Sequence, residues 1–351
     1  ICLGPSTQSI LDAADVRKIP HHRMSLANSL TQLGWGRAAR RVWAAETDAS
    51  GAIASSLAQD KELTRQLISA VGIPVPEGHA VLNAEEAWEV AEELGLPVVV
   101  KPRAGNKGRG VSLGLMTREA VMTAFGVAQA IGEGVVVERH LPGIHHRVLV
   151  VGNRVVAASR AGYEFVTGDG EQTVAELVAA ANRDPLRQGG PSSILTPIEL
   201  DVPALELLSR KGLTPQSVPT KGQQVVLHLN GDLTVDETEE VHPDVAAWCV
   251  LAARTIGLDV AGVDIVAESV SRPLMEQGGG VVEINASPGL LMHLQPVEGK
   301  PRDVGGAILA TLFDESADGR IPFLAVSGTR HRPAAVRVLR ELLGRQGTGF
   351  A

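Results

Sequence analysis

The chain has 351 residues, 44% of them hydrophobic and 21% charged, enough apolar material to bury the cores of two or three domains. A net charge of −8 gives no general attraction to DNA, RNA or an anionic membrane, and aromatic residues at 3% argue against a base-stacking platform for single strands. Cys2 and Cys249 lie far apart without metal-ligand spacing, which suits a reducing compartment and no disulfide framework. The longest apolar tract, Val245 to Val266, is broken by Arg254 and Asp259, so no membrane span is expected. No signal peptide is apparent. These features imply a cytoplasmic protein, and the missing initiator Met at Ile1 reads as a fragment of a longer chain.

Taken in order, the chain opens with a helix expected from Ser6, stopped at Pro20. The stretch SLTQLGWGRAARRVWAAET follows, and its basic cluster Arg37 to Arg41 reads as a solvated face. Asp60 is placed to cap KELTRQLISAV before a stop at Gly72, and Asn83 to cap AEEAWEVAEEL before Gly95. Strand VVVK, a glycine-rich loop, SLGLM, helix REAVMTAFGVAQAI and strand VVVER complete a small α/β lobe at about 74–138. RVLVV and RVVAASR flank Gly152-Asn153, a hairpin signal. Residues 166–224 read as a turn at Gly168, a helix from Thr173 to Asn182, and loops punctuated by Pro and Gly. Strand QVVLHLN leads into an acidic loop, GDLTVDETEEVHP, and a long helix runs from Pro243 to Gly257. Strands VAGVDIVAES and VVEIN follow, then a helix over about 303–313. RIPFLAVSGTRHRPAAVRVLREL reads as a new strand, loop and helix.

Two of these stretches carry chemistry. Lys101 stands where a valine strand emerges, and Asn106, Lys107, Gly108, Arg109 and Gly110 form a basic, flexible loop able to turn backbone amides toward an anion. The loop is neither a Walker motif nor a dinucleotide fingerprint, and by itself it fits an ordinary surface turn equally well. Asp264 lies in an apolar strand, where a carboxylate is costly without a partner. Glu283 and Asn285 are two apart in a strand and share a face, about 7 Å from each other along the backbone. Three oxygen ligands on adjacent strands suit Mg2+ bound to a triphosphate. Taken singly, Asp264 reads as the partner of an arginine such as Arg254, and Glu283 as solvent-facing. Taken with Lys101 and the glycine loop, the metal site is favoured, with Lys101 facing the three oxygens across a cleft. His145 and His146 are adjacent in an extended segment and point to opposite faces, so they do not chelate together.

DKELT…GIPVPEG, VVVKP…GNKGRGV, VVVERHLPG, AGVDIV and EINASPG together resemble the ATP-grasp carboxylate–amine ligases. SLTQLGWG, TVAELV, NRDPLR, EVHPDV and MHL-x-P-x-EGKPRDV extend the resemblance, from about Gly4 to Phe313, to the central domain of the cyanophycin synthetase family. The resemblance implies an α/β (α+β) ATP-grasp fold, with two lobes holding the nucleotide between them. It implies an N-terminal segment at 1–56, a remnant of a preceding domain packed on the ligase. An ATP-grasp domain would occupy 57–314, its large lobe about 139–314, and a truncated Mur-ligase-like domain would start at 315–351. It also implies roles for single residues. Lys61 and Lys101 would contact ATP phosphates, with Asn106 to Gly110 as the lid. Glu138, Arg139, His140 and Leu141 would be the hinge that holds adenine through the backbone. Arg147 and Arg160 would neutralise the transferring phosphoryl group, and Asp264, Glu283 and Asn285 would hold Mg2+. ATP would phosphorylate a carboxylate and an amine would then form the amide. The partners would be aspartate, or an Asp-Arg dipeptide, and a polyaspartate-like peptide, in a homo-oligomer.

Four departures stand on the acceptor side and beyond. SGTRHRP lacks the phosphate-loop Lys of the family's next domain, and the segment GDLTVDETEEVH is short and acidic. Leu291, His228 and Leu229 stand where basic residues are usual, and His145 and His146 where the family tends to have Asp. They leave two further expectations open. One is an ATP-binding relative with a structural or regulatory role. The other is a glutamate-adding or glutathione-type ligase.

Overall fold

The amino-terminal residues build a helix and a small sheet in the computed structural model, which describes residues 3–103, 110–132, 134–187, 193, 195–228, 231–321, 324, 326–328 and 330–345. Helix α1 (Pro5–Val16) has Pro at its first position, where the missing amide costs no hydrogen bond. An antiparallel four-stranded meander follows: β1 (His21–Arg23), β2 (Thr31–Leu33), β3 (Arg40–Trp43) and β4 (Glu46–Thr47). Arg37 and Arg41 are exposed, as the solvated-face reading expects. Helix α2 (Ala52–Gln59) leads to α3 (Lys61–Ala70), whose cap Asp60 accepts from the Leu63 amide at 3.1 Å.

The small lobe comprises β5 (Gly78–Val81), α4 (Ala84–Leu94), β6 (Val98–Pro102), β7 (Ser112–Leu115), α5 (Arg118–Ile131) and β8 (Val135–Arg139). Its strands pair antiparallel in the order β5-β8-β6-β7, and α4 and α5 bury Ala87, Ala91, Val121 and Phe125 against the valines of β6 and β8. Asn83 and Thr117 cap the two helices through their side chains.

The large lobe is arranged on one antiparallel sheet, ordered β13-β10-β9-β14-β15. Strands β9 (Ile144–Val151) and β10 (Arg154–Ala161) form the expected hairpin, turning at Gly152 with φ +61°. Strand β11 (Glu164–Thr167), α6 (Val174–Ala181), α7 (Val202–Arg210) and β12 (Gln224–His228) make a lateral unit in which β11 pairs with β12. The capping box of Thr173 and Glu176 starts α6 as the sequence indicates. Helix α7 was not expected; Asp201 caps it, and its apolar side buries Ala204 and Leu208. The acidic stretch is also more than a loop, since β13 (Leu233–Asp236) pairs with β10. Helix α8 (Pro243–Ile256) ends at Gly257, in the left-handed conformation that suits glycine. Strands β14 (Val260–Ala267) and β15 (Gly280–Asn285) are followed by α9 (Leu291–Leu294), α10 (Val304–Leu312) and α11 (Arg332–Arg345). The strand expected after Ser316 falls partly on residues outside those described, and Arg320, Ile321, Leu324 and Val326, which are described, are not in a strand. Among the described residues no helix is long and apolar enough to cross a membrane.

Strand alternation gives this sheet two cores. Val148, Val150, Ala261, Val263 and Ile265 pack on one face against α2, α3 and α8, where Cys249 is buried and its thiol is pushed up to about 12. Leu149, Val151, Ala157 and Val260 pack on the other against α1, α10 and the meander. The N-terminal segment therefore shares its core with the large lobe. Two hydroxyls fasten it there, Thr47 Oγ1 donating to Asp259 Oδ2 at 2.5 Å and Ser50 Oγ to Asp259 Oδ1.

Helices α1 and α10 meet at Gly305, where an added Cβ would lie 2.3 Å from the Ser9 carbonyl oxygen. Gly305→Ala is therefore expected to destabilise the fold by about 1–3 kcal/mol through overpacking. Urea denaturation should show an earlier midpoint, and limited proteolysis should cut first within residues 3–20.

Candidate active site

Cross-strand register gathers the polar residues midway along β9 and β14 and at the C-terminal part of β15. Arg147 lies opposite Asp264, Asp264 opposite Glu283, and Gly262 opposite Asn285. The alternation that sends Leu149 and Val260 into the α1–α10 layer sends Arg147 and Asp264 to the same face. Asp264 is only 3% exposed, and a carboxylate at that depth needs matched charge. Arg147 supplies it as a fork, Nη2 donating to Oδ2 at 2.9 Å and Nε to Oδ1. Asn285 Nδ2 donates to Oδ2 at 2.9 Å, and His145 Nε2 lies 3.3 Å from Oδ1. Burial alone would raise the Asp264 pKa. Arg147 and His145 outweigh it and hold the carboxyl far below the usual carboxylate range. The arginine partner of Asp264 is thus Arg147 and not Arg254, which is exposed on α8. Gly262 makes room for that guanidinium: a Cβ there would lie 2.8 Å from Pro288 Cβ and 3.2 Å from Arg147 Cδ.

The second pair joins a helix start to β15. Lys61, the first residue of α3, places Nζ 3.2 Å from Glu283 Oε1. The lysine that meets the predicted metal residues is therefore Lys61. Lys101, on β6, instead meets the buried Glu138 of β8, with Nζ 2.7 Å from Oε2. Arg103 reaches toward the same helix start, 3.6 Å from the cap Asp60. In the predicted hinge, the amides of Arg139 and His140 already donate to Glu77 O at 2.8 Å and Pro97 O at 3.2 Å. The Leu141 amide has no partner among the described residues. Arg160 makes no ion pair among them, its Nη1 donating weakly to Ala161 O at 3.4 Å. Asn106, Lys107, Gly108 and Arg109 lie outside the described residues, as does Leu229. Gly110 sits at φ +73°, wedged between Pro102 and Ile131.

Asp264, Glu283 and Asn285 offer the hard oxygen donors that suit Mg2+, on neighbouring strands. Each carboxylate is already neutralised by a cation of the same site, so a metal bound here would displace Arg147 and Lys61. The two histidines diverge as their spacing requires: His145 turns to Asp264, and His146 to Glu237 Oε1 at 2.6 Å and the Ala267 carbonyl at 3.1 Å. Two features escape the sequence. His145 joins the Asp264 cluster because β9 is longer than the hydrophobic run from Arg147 suggests. Ser159 holds His293 at 2.9 Å across the long separation between β10 and α9, and no local pattern signals that contact.

Residues 54–144 match the ATP-grasp domain as a family. The cyanophycin synthetase of Nostoc sp. is 40% identical over 98% of this chain and 39% of its own length, and that of Synechocystis sp. is 37% identical over 98% and 40%. The chain thus spans about two fifths of the length of the curated relatives it matches. A bifunctional glutathione synthetase from Pasteurella multocida, known as a crystal structure, superposes with a TM-score of 0.65 at 28% identity, over 89% of this chain and 44% of that one.

Removing Arg147 leaves a buried charge without its partner. Arg147→Ala is expected to cost about 3–5 kcal/mol, and Arg147→Ala with Asp264→Ala clearly less than the sum of the two single changes. A double-mutant cycle by urea denaturation measures this. Because the folded pKa of Asp264 is depressed, the pair stabilises above the unfolded carboxylate value near 3.9 and weakens as pH falls below it. Acid titration of the unfolding midpoint should show that loss in the wild type and not in the double variant.

Proposed function

The chain belongs to the ATP-grasp family, with the fold that its matches to the ATP-grasp domain and to cyanophycin synthetase bring, and from that premise we propose an ATP- and Mg2+-dependent carboxylate–amine ligase adding aspartate, or an Asp-Arg dipeptide, to the C-terminal carboxylate of a polyaspartate-like peptide. The observation that carries this reading is the register-locked set Arg147, Asp264, Glu283 and Asn285, met by Lys61 from α3. The reaction joins two steps. A carboxylate oxygen attacks the γ-phosphorus, ADP leaves, and an acylphosphate forms. An amine then attacks the acyl carbon, loses a proton, and releases phosphate with formation of the amide.

The protein's share is positioning and charge neutralisation, with no covalent nucleophile. Lys61 and Lys101 would exchange Glu283 and Glu138 for phosphate oxygens, while the Leu141 amide serves the adenine edge. Arg147, and Arg160, which has no ion pair among the described residues, would hold the oxygens of the transferring phosphoryl group. Asp264, Glu283 and Asn285 would hold Mg2+, which would neutralise charge on the β- and γ-phosphates. Partner exchange links these events. Asp264 and Glu283, on losing Arg147 and Lys61 to phosphate oxygens, would regain matched charge by holding Mg2+. The reaction belongs to a cytoplasmic setting, where ATP is at hand.

The glutathione synthetase likeness supports a second reading, a glutamate- or glutathione-type ligase. Phosphate release tests both. With ATP, Mg2+, aspartate and a short polyaspartate primer, wild-type protein should release phosphate, and Asp- against Glu-ended acceptors should separate the two readings. Calorimetric ATP binding without release across that panel would point to a non-catalytic nucleotide-binding protein. Lys61→Ala and Lys101→Ala should each weaken Mg-ATP binding about tenfold or more, as loss of a charged hydrogen bond does.

A further inference from the structure

His293 is the one side chain among the described residues with a buried polar atom lacking any partner. It is 1% exposed on α9, its Nδ1 lies 2.9 Å from Ser159 Oγ, and Nε2 bonds to nothing among those residues. Orphaned groups of this kind are rare because each forfeits its hydration without return. Ser159 stands directly opposite Arg147 in the β9–β10 register, so the two side chains share a face, and His293 bonds to Ser159 and lies within the electrostatic reach of Arg147. Arg147 has a matching vacancy in its bonding: Nε and Nη2 serve Asp264, and Nη1 donates to no described residue.

We propose that His293 Nε2 and Arg147 Nη1 form a two-donor site for one oxygen of the acceptor peptide's terminal carboxylate. The inference rests on the ligase reading above and adds the residue that would recognise the acceptor. When the Ser159 hydroxyl donates to Nδ1, the ring proton sits on Nε2, leaving a neutral N–H donor beside a cation. Burial first, and then the nearby Arg147 charge, push the His293 pKa down to about 3, against an opposing pull from Asp236, so the ring stays neutral in the working range. The groups facing it are Ser159 on β10, Arg147 on β9 and Asp236 on β13, the last held by Arg302 at 2.5 Å.

The location favours the peptide over the nucleotide. In the sheet order β13-β10-β9-β14-β15, Lys61 meets Glu283 at the β15 edge, whereas His293 lies over β10, on the opposite side of Arg147. An oxygen held by Arg147 and His293 is therefore on the far side from the phosphate-binding lysines. Leu291, two residues earlier, brings no charge to this side, so recognition there falls to these two groups and Arg160.

The test uses the full chain with 15N-labelled histidine and Mg-ADP. Long-range 1H–15N spectra, assigned with His293→Gln, should show the Nε2–H tautomer, and its Nε2 signal should move when an Asp-ended peptide is added but not with the same peptide amidated. A signal moved by ADP and Mg2+ alone, and not further by the peptide, would transfer the site to the nucleotide and overturn the proposal. A signal that ignores both would also overturn it. In turnover, His293→Phe should raise the acceptor KM at least about tenfold with the ATP KM unchanged, and His293→Gln, which keeps a donor, should recover part of the loss. Equal effects on both KM values would mark a merely structural residue. A peptide-dependent shift in a protein without phosphate release would sink the ligase reading while leaving the carboxylate site standing.

Discussion

The geometry of the site depends on one buried ion pair. Asp264 could not sit in the middle of an apolar strand without Arg147 opposite it, and Arg147 could not lie flat on the sheet without the bare backbone of Gly262. Three strands must keep their register for that fork to close, and the same register delivers Glu283 and Asn285. The charges are balanced locally. Each carboxylate that could take a metal holds a cation that could take a phosphate, which gives the site a matched set of bonds to exchange.

That balance explains why apolar packing surrounds so polar a cluster. The sheet is the wall between two cores, one covered by α8 and the other by α1 and α10. One core runs the length of β14 on the face away from Asp264, while the other packs around Leu149, Val151 and Val260 on the face that carries Arg147 and Asp264. The small lobe contributes differently, since Lys101 is neutralised within its own sheet by Glu138. The lobes meet where the Val281 amide donates to the Pro74 carbonyl at 2.8 Å, and the Arg65 guanidinium to the Gly78 carbonyl at 3.0 Å.

Much of the fold was legible because its signals are local. Asp60, Asn83 and Thr173 cap helices where the pattern places them, and Gly152-Asn153 turns a hairpin. The meander was not legible, since strands of two to four residues carrying His and Arg have no periodicity to read. Strand β13 hides in an acidic run because its partner, β10, supplies the stabilisation. The site was half legible. Period two places Glu283 and Asn285 together, but the pairing of β9 with β14 spans more than a hundred residues of sequence and is set only by tertiary packing. That is why Arg147, named as a catalytic cation, turned out to be the partner of a residue named as a metal ligand.

Asp259 gives the amino-terminal meander a mechanical connection to the chemistry. It stands just before β14, clamped by Thr47 and Ser50, and Asp264 lies five residues further along the same stretch of backbone, about 17 Å away when extended. Extended backbone hydrogen-bonded on both flanks hardly stretches. The meander and the carboxylate are thus tied to the two ends of one hydrogen-bonded stretch of backbone.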